Sequence, residues 1–229
     1  MNMEQDNNAC AYCGARNSIS DDHIPPESLF ADPKPSNLIT VPSCDRCHRG
    51  TYLDDEYFKT IITLRDEVGD HPDVKKILPS TIRGLKGVAK WKYYLYFKKR
   101  TRWVLKKSQS GIVLGLRPAY EVDLARVYKV INRVARGLYY HETKEILGAS
   151  AEVRSQGLEL WGKDDFAFFS KYMLAPLLKK QKRVIGNDVF SYVYQIVPDE
   201  PKMSVWLMEF YNKIDFFAMT MPIGYPLPK

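Results

Sequence analysis

Four cysteines and three polar residues carry the chemistry open to this sequence. Cys10 and Cys13 stand in the run CAYC, Cys44 and Cys47 in the run CDRC, and the 229 residues hold no other cysteine. A two-residue spacer turns both sulfurs of a pair toward one point, and two such knuckles complete the tetrahedral thiolate shell that zinc prefers. Gly14 directly follows the first pair and suits the tight turn of a knuckle. The other uses of paired cysteines fit less well. Disulfides need an oxidising compartment, and a redox-active CxxC is expected singly within a βαβ pattern. A structural Zn2+ held by Cys10, Cys13, Cys44 and Cys47 is therefore the expectation.

The three polar residues lie in and just beyond the insert between the knuckles. That insert is about 30 residues long, against the roughly 15–20 of compact zinc ribbons. Asp22 and His23 precede Ile24-Pro25-Pro26, and His48 comes directly after Cys47. An imidazole with an ordinary pKa near 6.5 can accept a proton at neutral pH. A carboxylate beside it can ligate a hard divalent cation. The plainer readings are that Asp22 is a turn residue and that His48 packs against the zinc.

Elements that could position these groups are legible around them. Ile24 with its neighbours and the run Leu38 to Val41 read as two short strands, with ADPKPSN as the turn-rich loop between them. From Thr51 to Val68, Leu53, Tyr57, Ile61 and Leu64 recur at helical spacing. The order is knuckle, hairpin, knuckle, helix.

In that order, with CxxCG, DHIPP, NLITVPSCDRCH and the letters His23, Asn37 and His48, the chain resembles the HNH endonucleases in their zinc-stapled ββα-metal form. The resemblance covers roughly the first 70 residues. It implies that His23 is the general base toward water. It further implies that Asp22 and His48 hold a catalytic divalent cation, Mg2+ or another, and that Asn37 braces the loop that aims His23. Many family members add a histidine or lysine one turn further on. Here that region reads RGTYLDDE, with Asp54 and Asp55 as unassigned acids. The implied activity is hydrolysis of DNA phosphodiesters, by nicking or double-strand cleavage, in a setting such as phage defence or restriction. The alternatives are a zinc module that binds nucleic acid without turnover, and an RNase or toxin acting with a partner encoded in the same operon.

The formal net charge is +7, which favours a polyanionic partner and says nothing of fold. The N-terminal run MNMEQDNNAC has no basic and apolar signal pattern, and no apolar run of about 18 residues occurs. The expectation is a cytoplasmic protein without a membrane partner. Two domains are expected, an HNH domain over 1–72 and a basic α+β accessory domain over 73–229, joined through a linker in Gly69 to Ser80. From Lys75 to Ser110 no acid interrupts a basic run that includes Lys98, Lys99, Arg100 and Arg102, the candidate nucleic-acid contacts. Trp91, Tyr93, Tyr94, Tyr96, Phe97 and Trp103 are interleaved with it. Further on, Leu124, Val127, Val130, Ile131, Val134 and Leu138 form one helical stripe, with Gly137 expected to break the helix. DVFSYVYQIV, MSVWLMEFY and KIDFFAMTMP read as three strands of an antiparallel sheet, with PDEP as a turn. The fold class is thus α+β. His71, in GDHPD, reads as a surface residue, and His141 as a cap or core residue.

Overall fold

The run Ile39-Thr40-Val41 favours an extended strand, and Ile24 opposite it completes the apolar face of the first hairpin. In the computed structural model, which describes residues 9–17, 19–86, 95, 98–108, 110–160 and 174–225, β1 (Ile19–Ile24) pairs antiparallel with β2 (Ile39–Cys44). The register puts Asp22 opposite Val41 and Ile24 opposite Ile39. A one-turn helix α1 (Asp45–His48) follows at once, then α2 (Tyr52–Thr63) and α3 (Pro72–Lys86). A second hairpin, β3 (Thr101–Lys107) with β4 (Val113–Tyr120), leads into the 20-residue helix α4 (Leu124–Thr143). After it come β5 (Ala151–Gly157), the single turn α5 (Ala175–Leu178), β6 (Arg183–Ile185), β7 (Phe190–Val197), β8 (Glu200–Phe210) and β9 (Ile214–Pro222). The last five strands form one antiparallel sheet in the order β5-β9-β8-β7-β6. The class is α+β, and the three expected C-terminal strands are β7, β8 and β9. Among the described residues no helix is long and apolar enough to cross a membrane.

Helix α4 is the centre of the packing. Asp123 caps its N-terminus by accepting from the Arg126 backbone N–H, and Lys144 ends it in the left-handed conformation. Val127, Val130, Ile131, Val134 and Leu138 are buried, as their spacing requires, whereas Leu124 at the helix start is exposed. The helix packs against α2, against β5 and β9 of the large sheet, and against both strands of the first hairpin. A single apolar cluster consequently runs from Cys10, Ile24 and Phe30 through α4 to Phe216 and Ala218.

Three expectations are revised. Gly137 does not break the helix, which continues to Thr143. Instead it lets the hairpin approach: a Cβ at this position would lie 1.6 Å from Cδ1 of Ile24. The expected linker is mostly helix α3, opened by Pro72, whose missing N–H is harmless in a first turn. Val74 and Ile77 of that helix are buried in the common cluster. In α2 the apolar face is rotated, with Leu53 exposed while Tyr57, Phe58, Ile61 and Ile62 are buried. Of the interleaved aromatics, Trp91, Tyr93, Tyr94, Tyr96 and Phe97 lie outside the described residues.

Candidate functional site

The cysteines converge. All four Sγ atoms lie within 4.8 Å of one another, and Cys13 Sγ is 3.7 Å from Cys44 Sγ. A tetrahedral zinc with Zn–S bonds near 2.3 Å separates its sulfurs by about 3.8 Å, so the set fits a structural zinc. The first knuckle is shaped by backbone bonds: Gly14 N–H donates to Cys10 O (2.8 Å) and Cys10 N–H to Ala15 O (2.8 Å). Gly14 has φ +76°, which glycine adopts without strain. Ala11 N–H donates to Pro42 O at 2.8 Å and so ties this knuckle to β2. Cys44 is the N-cap of α1. Chiefly through the backbone N–H of Cys47, its thiol is lowered to about 7, which favours a thiolate. Burial, and then the neighbouring Cys10, push Cys47 upward. Four ionised sulfurs this close need a bound dication to offset their repulsion.

The same knuckle delivers a phenol to the second cluster. Tyr12, between Cys10 and Cys13, donates its O–H to Asp22 Oδ2 at 2.7 Å. Arg133 of α4 donates Nη1–H to that same oxygen at 2.7 Å, and its Nη2–H bonds Asp55 Oδ1. Asp22 is only 5% exposed. Its other oxygen, Oδ1, faces Nε2 of His48 at 3.8 Å. Nδ1 of that ring is hydrogen-bonded to Ser20 Oγ at 2.9 Å. With Nε2 as the lone-pair nitrogen, Nδ1–H is the donor in this bond, an arrangement typical of a metal-ligating imidazole. Burial first, then Asp22, hold the Tyr12 phenol well above its ordinary range, so it remains a donor. Burial opposes charge on Arg133, but Asp55 and Asp22 more than offset it and raise its pKa. Burial likewise lifts Asp55 to about 6, against the pull of Arg133.

His23 leaves β1 on the opposite face from Asp22, as consecutive strand residues must. Its side chain is 32% exposed, and Nδ1 lies 3.7 Å from Glu27 Oε2, an ion-pair distance too long for a hydrogen bond. Asn37 does not brace the His23 loop. Its Nδ2–H2 donates to Val184 O (3.0 Å) and its Oδ1 accepts from Gly186 N–H (3.1 Å), which fastens the first hairpin to β6. Asp54 does not join the second cluster either, since it accepts from Arg126 and Lys129 of α4. Lys98, Lys99, Arg100 and Arg102 are exposed on or just before β3, and Arg100 reaches Glu121 at 3.4 Å. His71 is more than a surface residue: its Nε2 lies 3.1 Å from Asn187 O, and its ring meets that of Tyr211 edge-on. His141 sits in the last turn of α4, with its pKa lowered by burial.

Sequence reasoning missed Tyr12, Glu27 and Arg133. Tyr12 lay inside a motif read for its sulfurs alone. Arg133 is one of several cations on a helix whose local pattern shows only its apolar stripe. Set against known proteins, the chain matches no family model, no curated protein and no solved structure.

Proposed function

We infer that the chain is a metal-dependent endonuclease of the HNH type acting on DNA. The observation that carries this reading is the pairing of Asp22 Oδ1 with His48 Nε2 at 3.8 Å, on two segments that meet at the four-cysteine cluster. One hard oxygen and one imidazole nitrogen suit a divalent cation that keeps several waters, Mg2+ or Mn2+. Bound there, such a cation would neutralise the scissile phosphate and the departing oxygen.

The chain's own residues account for the rest of the reaction. Among the described residues β1 is hydrogen-bonded in a sheet only to β2, which leaves its other edge without a strand partner. Asp22 and His23 leave β1 on opposite faces, so a phosphodiester bound along that edge would have Asp22 and His48 on one side and His23 on the other. In-line displacement requires that division, because the attacking water and the leaving oxygen stand on opposite sides of phosphorus. His23 takes the proton of the water as its oxygen bonds to phosphorus. The P–O bond to the leaving sugar breaks, and that oxygen gains a proton from solvent. Glu27 Oε2 stands 3.7 Å from His23 Nδ1, on the side of the ring away from Nε2. The net positive charge of the chain supports a polyanionic substrate.

Conversion of supercoiled plasmid to nicked or linear DNA with Mg2+ or Mn2+, run beside a single-stranded RNA of matched length, tests the reading. Cleavage of DNA that disappears in His23→Ala and on chelation is expected. If the zinc-loaded protein leaves DNA intact under every metal, or if His23→Ala cuts like wild type, the reading fails. Preferential cleavage of the RNA would transfer the mechanism to the other nucleic acid.

A further inference from the structure

We propose that Arg133, together with Tyr12, is a positioning residue that presents a single oxygen of Asp22 to the cation. The inference rests on the nuclease reading above and adds a requirement that the hairpin does not contain. Asp22 has two oxygens and only one faces His48. Free in solvent, a carboxylate rotates and offers either oxygen. Here Oδ2 accepts two short hydrogen bonds, from Tyr12 and from Arg133, both at 2.7 Å. Two charge-assisted or buried donors on one oxygen fix the plane of the group and leave Oδ1 as the exchangeable site.

The arrangement is poorly explained as a device for stability. A guanidinium and two carboxylates buried together lose more solvation than an apolar trio of the same volume. Arg133 is only 9% exposed, and its Nε is buried with no hydrogen-bond partner among the described residues. A side chain serving the core alone would not leave that donor unpaired. What the guanidinium supplies is geometry: its planar fork bridges Asp22 and Asp55 at once, and a lysine ammonium cannot reproduce that fork. The single Thr51 Oγ1–H lies between two acceptors, His48 O at 2.9 Å and Asp55 Oδ2 at 3.3 Å, and so links Asp55 to the His48 backbone. One chain of contacts therefore runs from α4 to both candidate ligands.

The test measures Mn2+ binding to the zinc-loaded full chain by loss of the free-ion EPR signal, with zinc content and melting recorded for every variant. Wild type is expected to bind one Mn2+ beyond zinc, and His48→Ala to bind none at the same concentrations. Arg133→Gln should weaken Mn2+ by about 10–100-fold with zinc retained, and Arg133→Lys should not restore it. Nicking by Arg133→Gln should recover as Mn2+ is raised by the same factor, a rescue that a merely structural defect would not show. Tyr12→Phe should weaken Mn2+ in the same direction by a smaller factor, and it carries the test if the Arg133 variants do not fold. Folded Arg133→Gln that binds Mn2+ like wild type overturns the proposal, as does unchanged affinity in Tyr12→Phe where only that variant folds. Identical binding by wild type and His48→Ala sinks the nuclease reading itself, a separate outcome.

Discussion

Two hairpins in this protein have the same antiparallel pairing and opposite fates. The first, β1–β2, has α4 packed on it, four cysteines at its base, and Asp22 and Ile24 buried within it. The second, β3–β4, points Trp103, Leu105, Ile112, Val113 and Leu116 to solvent among basic residues. One of its ties to the body is the Tyr120 O–H donating to Ile61 O at 3.2 Å. Cross-strand pairing gives each a register. The first has a phenol from a knuckle and a guanidinium from a helix brought to one buried carboxylate, whereas the second meets the body through exposed contacts such as Lys106 with Asp66. A polar site needs that convergence, because in water a lone hairpin barely holds its own shape.

The sharpest way to break the contrast is to remove the zinc. Chelation, or Cys44→Ser, should release the first hairpin and abolish cleavage, since structural zinc contributes about 10–16 kcal/mol of apparent binding free energy in small zinc domains. Hydrogen exchange should rise sharply over residues 19–44 and change little over 101–120. Next comes His23→Ala, expected to lower cleavage by about 10²–10⁴-fold, the usual worth of a general base, with melting unchanged because the ring is partly exposed. Gly137→Ala should then cost about 1–3 kcal/mol as an overpacked contact, read by denaturant unfolding. In an ordinary helix interior the same change would stabilise. Here the new methyl meets Ile24, the residue after His23, so cleavage should fall as well.

Smaller effects sharpen the picture on each side. Asp54 of α2 is held below its ordinary pKa of 3.8: burial alone would raise it, but hydrogen bonds from Lys129 and Arg126 outweigh that. A depressed carboxylate contributes stability that is fully present above pH 3.8 and is lost as pH falls through the lower folded value. Asp54→Asn should therefore remove about 1–3 kcal/mol at neutral pH and flatten the acid limb of a melting-versus-pH profile. On the second hairpin, Arg102→Ala should leave melting unchanged and weaken binding of a DNA duplex. It should also reduce the salt slope of that binding by about 0.9 for one lost phosphate contact.

How much of this was legible in the chain differs by kind of signal. Local signals were readable: the CxxC spacing brought the four thiols together, Ile24 with its neighbours marked β1, the apolar run Leu38 to Val41 marked β2, and β-rich runs marked the three C-terminal strands. The Asp22–His48 pairing was legible only as what the HNH resemblance implied, and the structure brings the two side chains to 3.8 Å. Signals of long range were not readable. Arg133 reaches Asp22 across 111 positions, and nothing in its local helical pattern distinguishes it from Arg126 or Arg136. Asn37, expected from the resemblance to brace the loop that aims His23, instead grips Val184 and Gly186, because an amide takes whichever backbone groups tertiary packing supplies. Gly137 is ambiguous for the same reason: a glycine late in a helix serves equally as a stop or as a seat, and only the partner, Ile24, decides.

Helix α4 is both a wall and a tool. Cutting the gene near codon 72 would keep every letter of the HNH-like motif and discard the surface on which Ile24 rests, together with the only guanidinium that steadies Asp22 among the described residues. Such a fragment should still chelate zinc and yet be inert, so transplanting this motif to another scaffold would have to carry that helix along.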